Sequence, residues 1–425
     1  MVQYSCFLRS GRPSDDWLKR YVELVYWIGI LEGFVGMNLK FALIQATYWM
    51  TNCVFFNFLV LLLKDFGYSE LQSGVISMVG TIVLTACQPL WGMLCDRAPR
   101  IKPILIGVLL AGAAASLLIP FGRGSVVCAV IAVILLSATT QSLMFLFDTW
   151  AARLLREGVR LNFGLTRSCG SFAYASTAAL FGMALDRFGY AIVTPAFVAL
   201  SLCAVAAVAV VREPARPATL LTAEKSNADF FPAVRRLLSD RRYLCLLLSV
   251  FLIFFGSTGI MLFYPLRITE LGGNNAIFGL AIFVNAASEI PALLLYRRLT
   301  QRFSHRTLLA VAFCSLALKI ALIALSESLW LSVAVMLLQA PSYGVYLSAS
   351  VQYVPEIVDA RLTYTAQMLI GSFASGASGI ASNLYMGVVA DRFGIRPAMI
   401  SLILFAVCGA LLFVISNRGV KRQAD

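Results

Sequence analysis

The chain has 425 residues, 60% of them hydrophobic and 13% charged, and a formal net charge of +13. A mean hydropathy of +0.83 excludes a soluble globular domain and points to a polytopic helical membrane protein. The basic excess sits in short polar segments between apolar runs, so membrane topology accounts for it and no nucleic-acid partner is expected.

In chain order, residues 1–36 form an N-terminal extension whose segment 21–36 is apolar and aromatic but short for a membrane span. It reads either as an interfacial helix or as sequence upstream of a start at Met37. The codons of Glu32 and Gly33 necessarily contain a purine-rich stretch resembling a ribosome-binding site, which favours the second reading. No small-residue cleavage site follows an apolar core, so no cleavable signal is expected.

Twelve apolar runs follow, each able to cross a hydrocarbon core of roughly 30 Å as a helix. The first six, in an N-terminal unit at 37–211, are 41–63, 71–94, 103–121, 125–150, 161–184 and 190–211. A polar cytoplasmic linker at 212–241, rich in Arg and Pro, separates them from a C-terminal unit at 242–425. The spans of that unit are 242–266, 276–296, 307–325, 328–353, 362–386 and 397–416. Lys and Arg crowd the loops after spans two, four and eight, the linker and the tail, whereas the opposite loops hold only Lys64, Arg123, Arg187, Arg267, Arg392 and Arg396. The positive-inside rule therefore puts both termini and the linker in the cytoplasm of a bacterial inner membrane.

Four ionisable residues fall inside spans: Asp148, Arg167, Glu289 and Lys319. A charge at the bilayer centre costs at least ~2.5–3.5 kcal/mol on insertion scales, and such residues normally pair, bind or carry protons. Asp148 and Arg167 flank the hairpin between spans four and five at comparable depth, so lateral pairing is available. That pair serves either as a structural bridge or as a ligand-facing group with spare hydrogen-bonding capacity. Gly170 and Ser171 thin the helix beyond Arg167, and Tyr174 lies seven residues on, on the same face. A cation, a thin wall and an aromatic plate suit a polar ring. In the second half, Glu289 precedes Pro291, which frees backbone groups and permits a bend.

Ten cysteines without CxxC spacing read as reduced packing residues, and the single histidine, His305, excludes HExxH zinc chemistry. No Ser/His, paired-Asp or metal-ligand constellation supports an enzyme, and no cofactor or metal is expected.

The loop Gly92-Met-Leu-Cys-Asp96-Arg97-Ala-Pro-Arg100 joins spans two and three on the basic side. Gly92 would permit close helix contact, and Asp96 would accept from basic side chains or a helix N-terminus as a latch, with Arg97 and Arg100 beside it. This segment resembles the signature loop of the major facilitator superfamily. Asp186-Arg187-Phe188-Gly189 and Asp391-Arg392-Phe393-Gly394 close spans five and eleven at corresponding places, supporting a duplicated six-plus-six architecture. The stretch FGLTRSCGSFAYA around Arg167 resembles the fifth-helix pattern of the lactose-permease branch, the oligosaccharide:proton symporters. That resemblance implies that Arg167 binds sugar, Asp148 pairs with it and Tyr174 stacks on the ring. Asp148 replaces the branch's Glu, Tyr174 its usual Trp, and the acid-to-Arg spacing is one residue longer. Glu289 resembles the branch's essential sugar-binding Glu. The branch's Asn one turn later is replaced by Ala292, and Asn285 would substitute. Lys319 resembles an Arg of the proton-coupling cluster, whose His and Glu are replaced by Gln339 and Ser342. Gln339, Tyr343 and Tyr346 line a polar cavity or pack helices.

The expected fold is all-α, with twelve transmembrane helices in two pseudo-symmetric six-helix bundles. The expected function is proton-coupled transport of a sugar or oligosaccharide. Alternatives are a nucleoside or aromatic or organic-acid carrier, a uniporter, or a non-transporting sensor. Substrate-binding candidates are Asp148, Arg167, Ser171, Tyr174, Asn285 and Glu289, and coupling candidates are Glu289, Lys319 and Asp148. The expected partners are a small solute, protons and the bilayer, with a monomer as the functional unit.

Overall fold

The computed structural model describes residues 36–156, 158–159, 161–211, 213, 230–359 and 362–416. Both readings of the extension, the linker from 214 to 229 and the tail after 416 lie outside the described residues.

Six long helices precede the linker. Helix α1 runs from Gly36–Asn57 into Leu59–Asp65 with a 41° bend. It is followed by α2 (Glu70–Arg97), α3 (Lys102–Arg123), α4 (Val126–Leu155), α5 (Phe163–Phe188) and α6 (Tyr190–Val210). A short α7 (Phe230–Ser239) lies within the predicted linker. Six long helices follow: α8 (Arg241–Glu270), α9 (Asn275–Thr300), α10 (His305–Leu325), α11 (Leu329–Ile357), α12 and α13 (Ile395–Ser416). Helix α12 comprises Thr363–Gly371, a π-helical Ser372–Ala377 and Ser378–Phe393. Among the described residues, the sequence's twelve spans thus correspond to twelve long helices, six before and six after residues 214–229.

Short polar residues set the starts. Ser69 and Gln72 form a reciprocal capping box on α2, and Asn162, Asp240, Asn274, Ser304 and Ser328 cap α5, α8, α9, α10 and α11. Gly189 and Gly394 stop α5 and α12 with φ of +71° and +88°, a region other residues avoid. Each turn lets the next helix start almost at once.

Among the described residues nine helices are long and apolar enough to cross a membrane, and the bent α1 adds a tenth. The two long helices outside that set, α5 and α12, are the more polar ones. They also form the two closest seams between the halves. Along α5 and α9, a Cβ on Gly182 would stand 2.3 Å from the Asn275 carbonyl oxygen, and one on Gly279 2.1 Å from that of Ala178. Along α2 and α12, a Cβ on Gly74 would stand 2.6 Å from the Gly387 Cα. These seams bring backbone against backbone, as small residues allow in membrane helices.

Carboxylates seal the rim of both seams. Asp186, at the end of α5, accepts from the backbone N–H of Asn275 (3.1 Å) and Ala276 (2.9 Å) and from Asn275 Nδ2 (2.8 Å) at the start of α9. Asp391, at the end of α12, accepts from the Leu71 N–H at 3.3 Å at the start of α2. The repeated Asp-Arg-Phe-Gly motifs therefore place an anion on a helix N-terminus of the opposite half, where the helix dipole favours it.

Both seams lie at the end away from the basic loops. Toward the basic end the halves part, leaving Leu90 and Met93 of α2 and Tyr364 and Met368 of α12 exposed. This corrects the expectation for Gly92: no atom lies within 4 Å of where its Cβ would stand, because no partner helix reaches it here. Arg97 and Arg100 are exposed, and the Asp96 side chain lies outside the described set. The loop is instead tied into its own half. Buried Arg153 donates to the carbonyl oxygens of Ala98 (3.2 Å) and Pro99 (2.7 Å). Glu213 accepts from the N–H groups of Ile101 (2.9 Å) and Lys102 (2.8 Å) and from Trp150 Nε1 (3.0 Å).

Candidate functional site

Between the halves lies a cavity of about 390 Å³. Its wall draws on α1 (Phe56), α2 (Ser77, Thr81), α4 (Ser137, Gln141), α8 (Phe254, Ser257, Thr258), α9 (Asn285), α10 (Lys319), α11 (Gln339, Tyr343) and α12 (Asn383). Three contributing helices carry π-turns at or beside the wall: Cys53–Asn57, Ser137–Gln141 and Ala340–Gly344. Such turns widen a helix, leave local backbone groups without regular partners and are frequent at functional sites. Amides and hydroxyls dominate the polar lining, and Lys319 is its one charged side chain.

Lys319 is 3% exposed. Its Nζ donates to Asn285 Oδ1 and Gln339 Oε1, both at 2.6 Å. Gln339 turns its other amide face to Glu289, donating from Nε2 to Oε1 at 2.7 Å. Asn285, Lys319, Gln339 and Glu289 therefore form one chain of hydrogen bonds across α9, α10 and α11. The sequence singled out all four, and the geometry joins them, with Gln339 interposed between base and acid. Ser342 donates into its own helix, to the Leu338 carbonyl at 2.6 Å, and is fully buried. Tyr346 packs against Phe254 at 4.9 Å and Phe313 at 5.9 Å, so it belongs to an aromatic core and not to the cavity wall.

The first-half candidates gather apart from that wall, around a residue the sequence did not flag. Trp49 of α1 lies beneath the Arg167 guanidinium, whose Cζ is 4.3 Å from the ring centroid. Tyr174 meets the same indole edge-on at 5.8 Å. Arg167 Nη1 donates to Ser171 Oγ at 3.0 Å, and Trp49 Nε1 to Gln45 Oε1 at 3.1 Å. Gly170 makes room, since a Cβ there would stand 2.5 Å from Trp49 Cδ1. The expected lateral pairing of Asp148 with Arg167 is not formed: no ion pair joins them, and Asp148 Oδ1 is buried without a hydrogen-bond partner. The indole has taken the carboxylate's place as the partner of the Arg167 cation. Gln45 Nε2 is likewise buried without a partner. The Arg167 cluster is built on α1 and α5 of the first half, and the Lys319 chain on α9, α10 and α11 of the second. A Gln and a Trp four residues apart in span one mark one helix face. That spacing was the available signal for this cluster.

The sequence pattern of the MFS_1 like family matches residues 47–396. The chain belongs to that family. It is a major facilitator superfamily transporter, and the twelve helices and central cavity are those of the superfamily's fold. It is 28% identical to a maltose permease of Geobacillus stearothermophilus over 357 residues, covering 84% of this chain and 88% of the permease. It is 24% identical to the uncharacterized transporter YwbF of Bacillus subtilis (strain 168), covering 82% and 85% of the two chains. Among solved structures, the nucleoside transporter NupG superposes with a TM-score of 0.79 at 13% identity, covering 90% of this chain and 100% of the other. A bacterial homologue of the lysosomal transporter Spinster, inward-facing and unoccupied, gives 0.60 at 14% identity over 90% and 97%. These two likenesses establish the fold alone.

Proposed function

We propose that the protein carries a sugar or short oligosaccharide across the membrane by alternating access, together with protons. The cavity wall carries this reading. Its amides and hydroxyls both donate and accept, which matches sugar hydroxyls, while Phe56, Phe254 and Tyr343 offer apolar faces to a ring. The maltose permease relative supports the same class. With basic loops inward, the rims at Asp186 and Asp391 face outside and the cavity faces the cytoplasm of a bacterial inner membrane. In this state Asn285 and Lys319 reach the solute directly. Asp148, Arg167, Ser171 and Tyr174 would join it from the first half, and Glu289 from the second, as the halves rock. The carrier works as a monomer, because the cavity is built within one chain.

The test is counterflow in proteoliposomes, after a thermal-shift screen of the purified protein against sugars, nucleosides and organic acids. Exchange of labelled maltose is the expected result. Exchange of a nucleoside or an organic acid, with none of any sugar, would replace the substrate class and leave the carrier reading intact. A solute that stabilises the protein without exchanging would mark a sensor.

A further inference from the structure

Lys319 is buried at the cavity wall with two partners, and both are neutral oxygens. An ammonium has three N–H donors. A neutral amine has two N–H donors and one lone pair. The oxygens of Asn285 and Gln339 thus take both N–H groups of the neutral amine, and the charged form keeps one N–H to spare for the cavity. Lys319 can gain or lose a proton without giving up either hydrogen bond. Glu289 differs on each point. It does not line the cavity, and its Oε1 accepts an N–H from Gln339, so a change in its charge would not reach the solute directly. The inserted amide also keeps Glu289 from closing a direct ion pair on Lys319.

We infer that Lys319 is the proton-carrying group of the transport cycle, an assignment that rests on the carrier reading above. A proton from external water adds to the Nζ lone pair. The third N–H then donates to a solute oxygen in the cavity. After solute leaves inward, that N–H gives its proton to internal water, and the neutral amine returns. Only an N–H bond forms and breaks. Glu289 keeps a solute-binding and orienting role through Gln339.

The groups facing Lys319 are few. From α9 there is Glu289, through Gln339, and from α11 there is Tyr343 on the same wall. Helices α8 and α13 also pack on α10, yet neither has an Asp, Glu, Lys, Arg or His from 243 to 266 or from 397 to 416. From the first half, Arg167 acts electrostatically on Glu289 and Tyr343.

Three variants test the assignment in proteoliposomes with maltose. Lys319→Gln should still exchange maltose in counterflow, at lowered affinity because the third N–H to the solute is gone, and lose accumulation driven by a pH gradient. Its maltose affinity should be flat with pH, whereas that of the unmodified protein falls as pH rises and the amine loses its third N–H. Lys319→Arg, permanently protonated, should also exchange without accumulating, and covers the case in which the Gln variant does not fold. Glu289→Gln should bind maltose more weakly yet still accumulate it. Accumulation by either Lys319 variant, or its loss in Glu289→Gln alone, would overturn the assignment. A solute-free measurement separates this from the sugar reading. Potentiometric titration across the neutral range should take up one proton more in the unmodified protein than in Lys319→Gln. Equal uptake defeats the inference whatever the solute is.

Discussion

Trp49 decides what Arg167 does in the observed state. The guanidinium rests on the indole at 4.3 Å, and Asp148 Oδ1 is left without a hydrogen-bond partner. A cation–π contact of this kind contributes about 0.5–2 kcal/mol, so Trp49→Ala should alter solute affinity by up to about thirtyfold without abolishing transport. Isothermal titration would read the change, and unchanged affinity would mean that Arg167 does not act in binding. Arg167→Lys should weaken binding by at least about tenfold, since an ammonium cannot reproduce a bidentate fork, while thermal stability is kept. Near-normal affinity in that variant would remove Arg167 from the solute's contacts. Both charges were visible in the sequence, because an ionisable residue in an apolar run stands out. Their separation was not, because it depends on which ring of α1 packs into the space left by Gly170, and the sequence of α5 carries no mark of its neighbour. The Lys319 chain was legible for a matching reason: Asn285, Glu289 and Gln339 are amide or acid side chains in the middle of otherwise apolar runs.

The seams are governed by elements. Helices α5 and α9 approach so closely that Gly279 has no room for a side chain: a Cβ would stand 2.1 Å from the Ala178 carbonyl oxygen. Gly279→Val should therefore hold the rim apart and shift the carrier toward the conformation open at that end. Labelling of Ala178→Cys by a membrane-impermeant maleimide should then run several-fold faster than in the Gly279 background. Equal labelling would mean that the rim closes some other way. The repeated Asp-Arg-Phe-Gly motifs and their glycine stops could be read from the chain directly. Their reach into the opposite half could not, because Asn274 already reads as a local cap for α9. The π-turns also escaped notice, since one extra residue in a helical turn leaves the hydrophobic pattern almost unchanged.

At the scale of the whole molecule, apolar length gave the helices away, a consequence of the bilayer as solvent. Which end stands open is a property of packing between halves and has no local signature. With Lys319 as the proton-carrying group on the cavity wall, the carrier responds to voltage. A form that holds both solute and proton bears one positive charge more than the form that returns empty. Each elementary charge crossing 100 mV is worth ~2.3 kcal/mol, or roughly fifty-fold in concentration ratio. A potassium diffusion potential, negative inside, should therefore drive maltose accumulation in proteoliposomes with no pH gradient at all. The same potential should leave the Lys319→Gln variant at simple equilibration. Cells could then keep the carrier working in alkaline surroundings, where a chemical proton gradient is small and the electrical one persists.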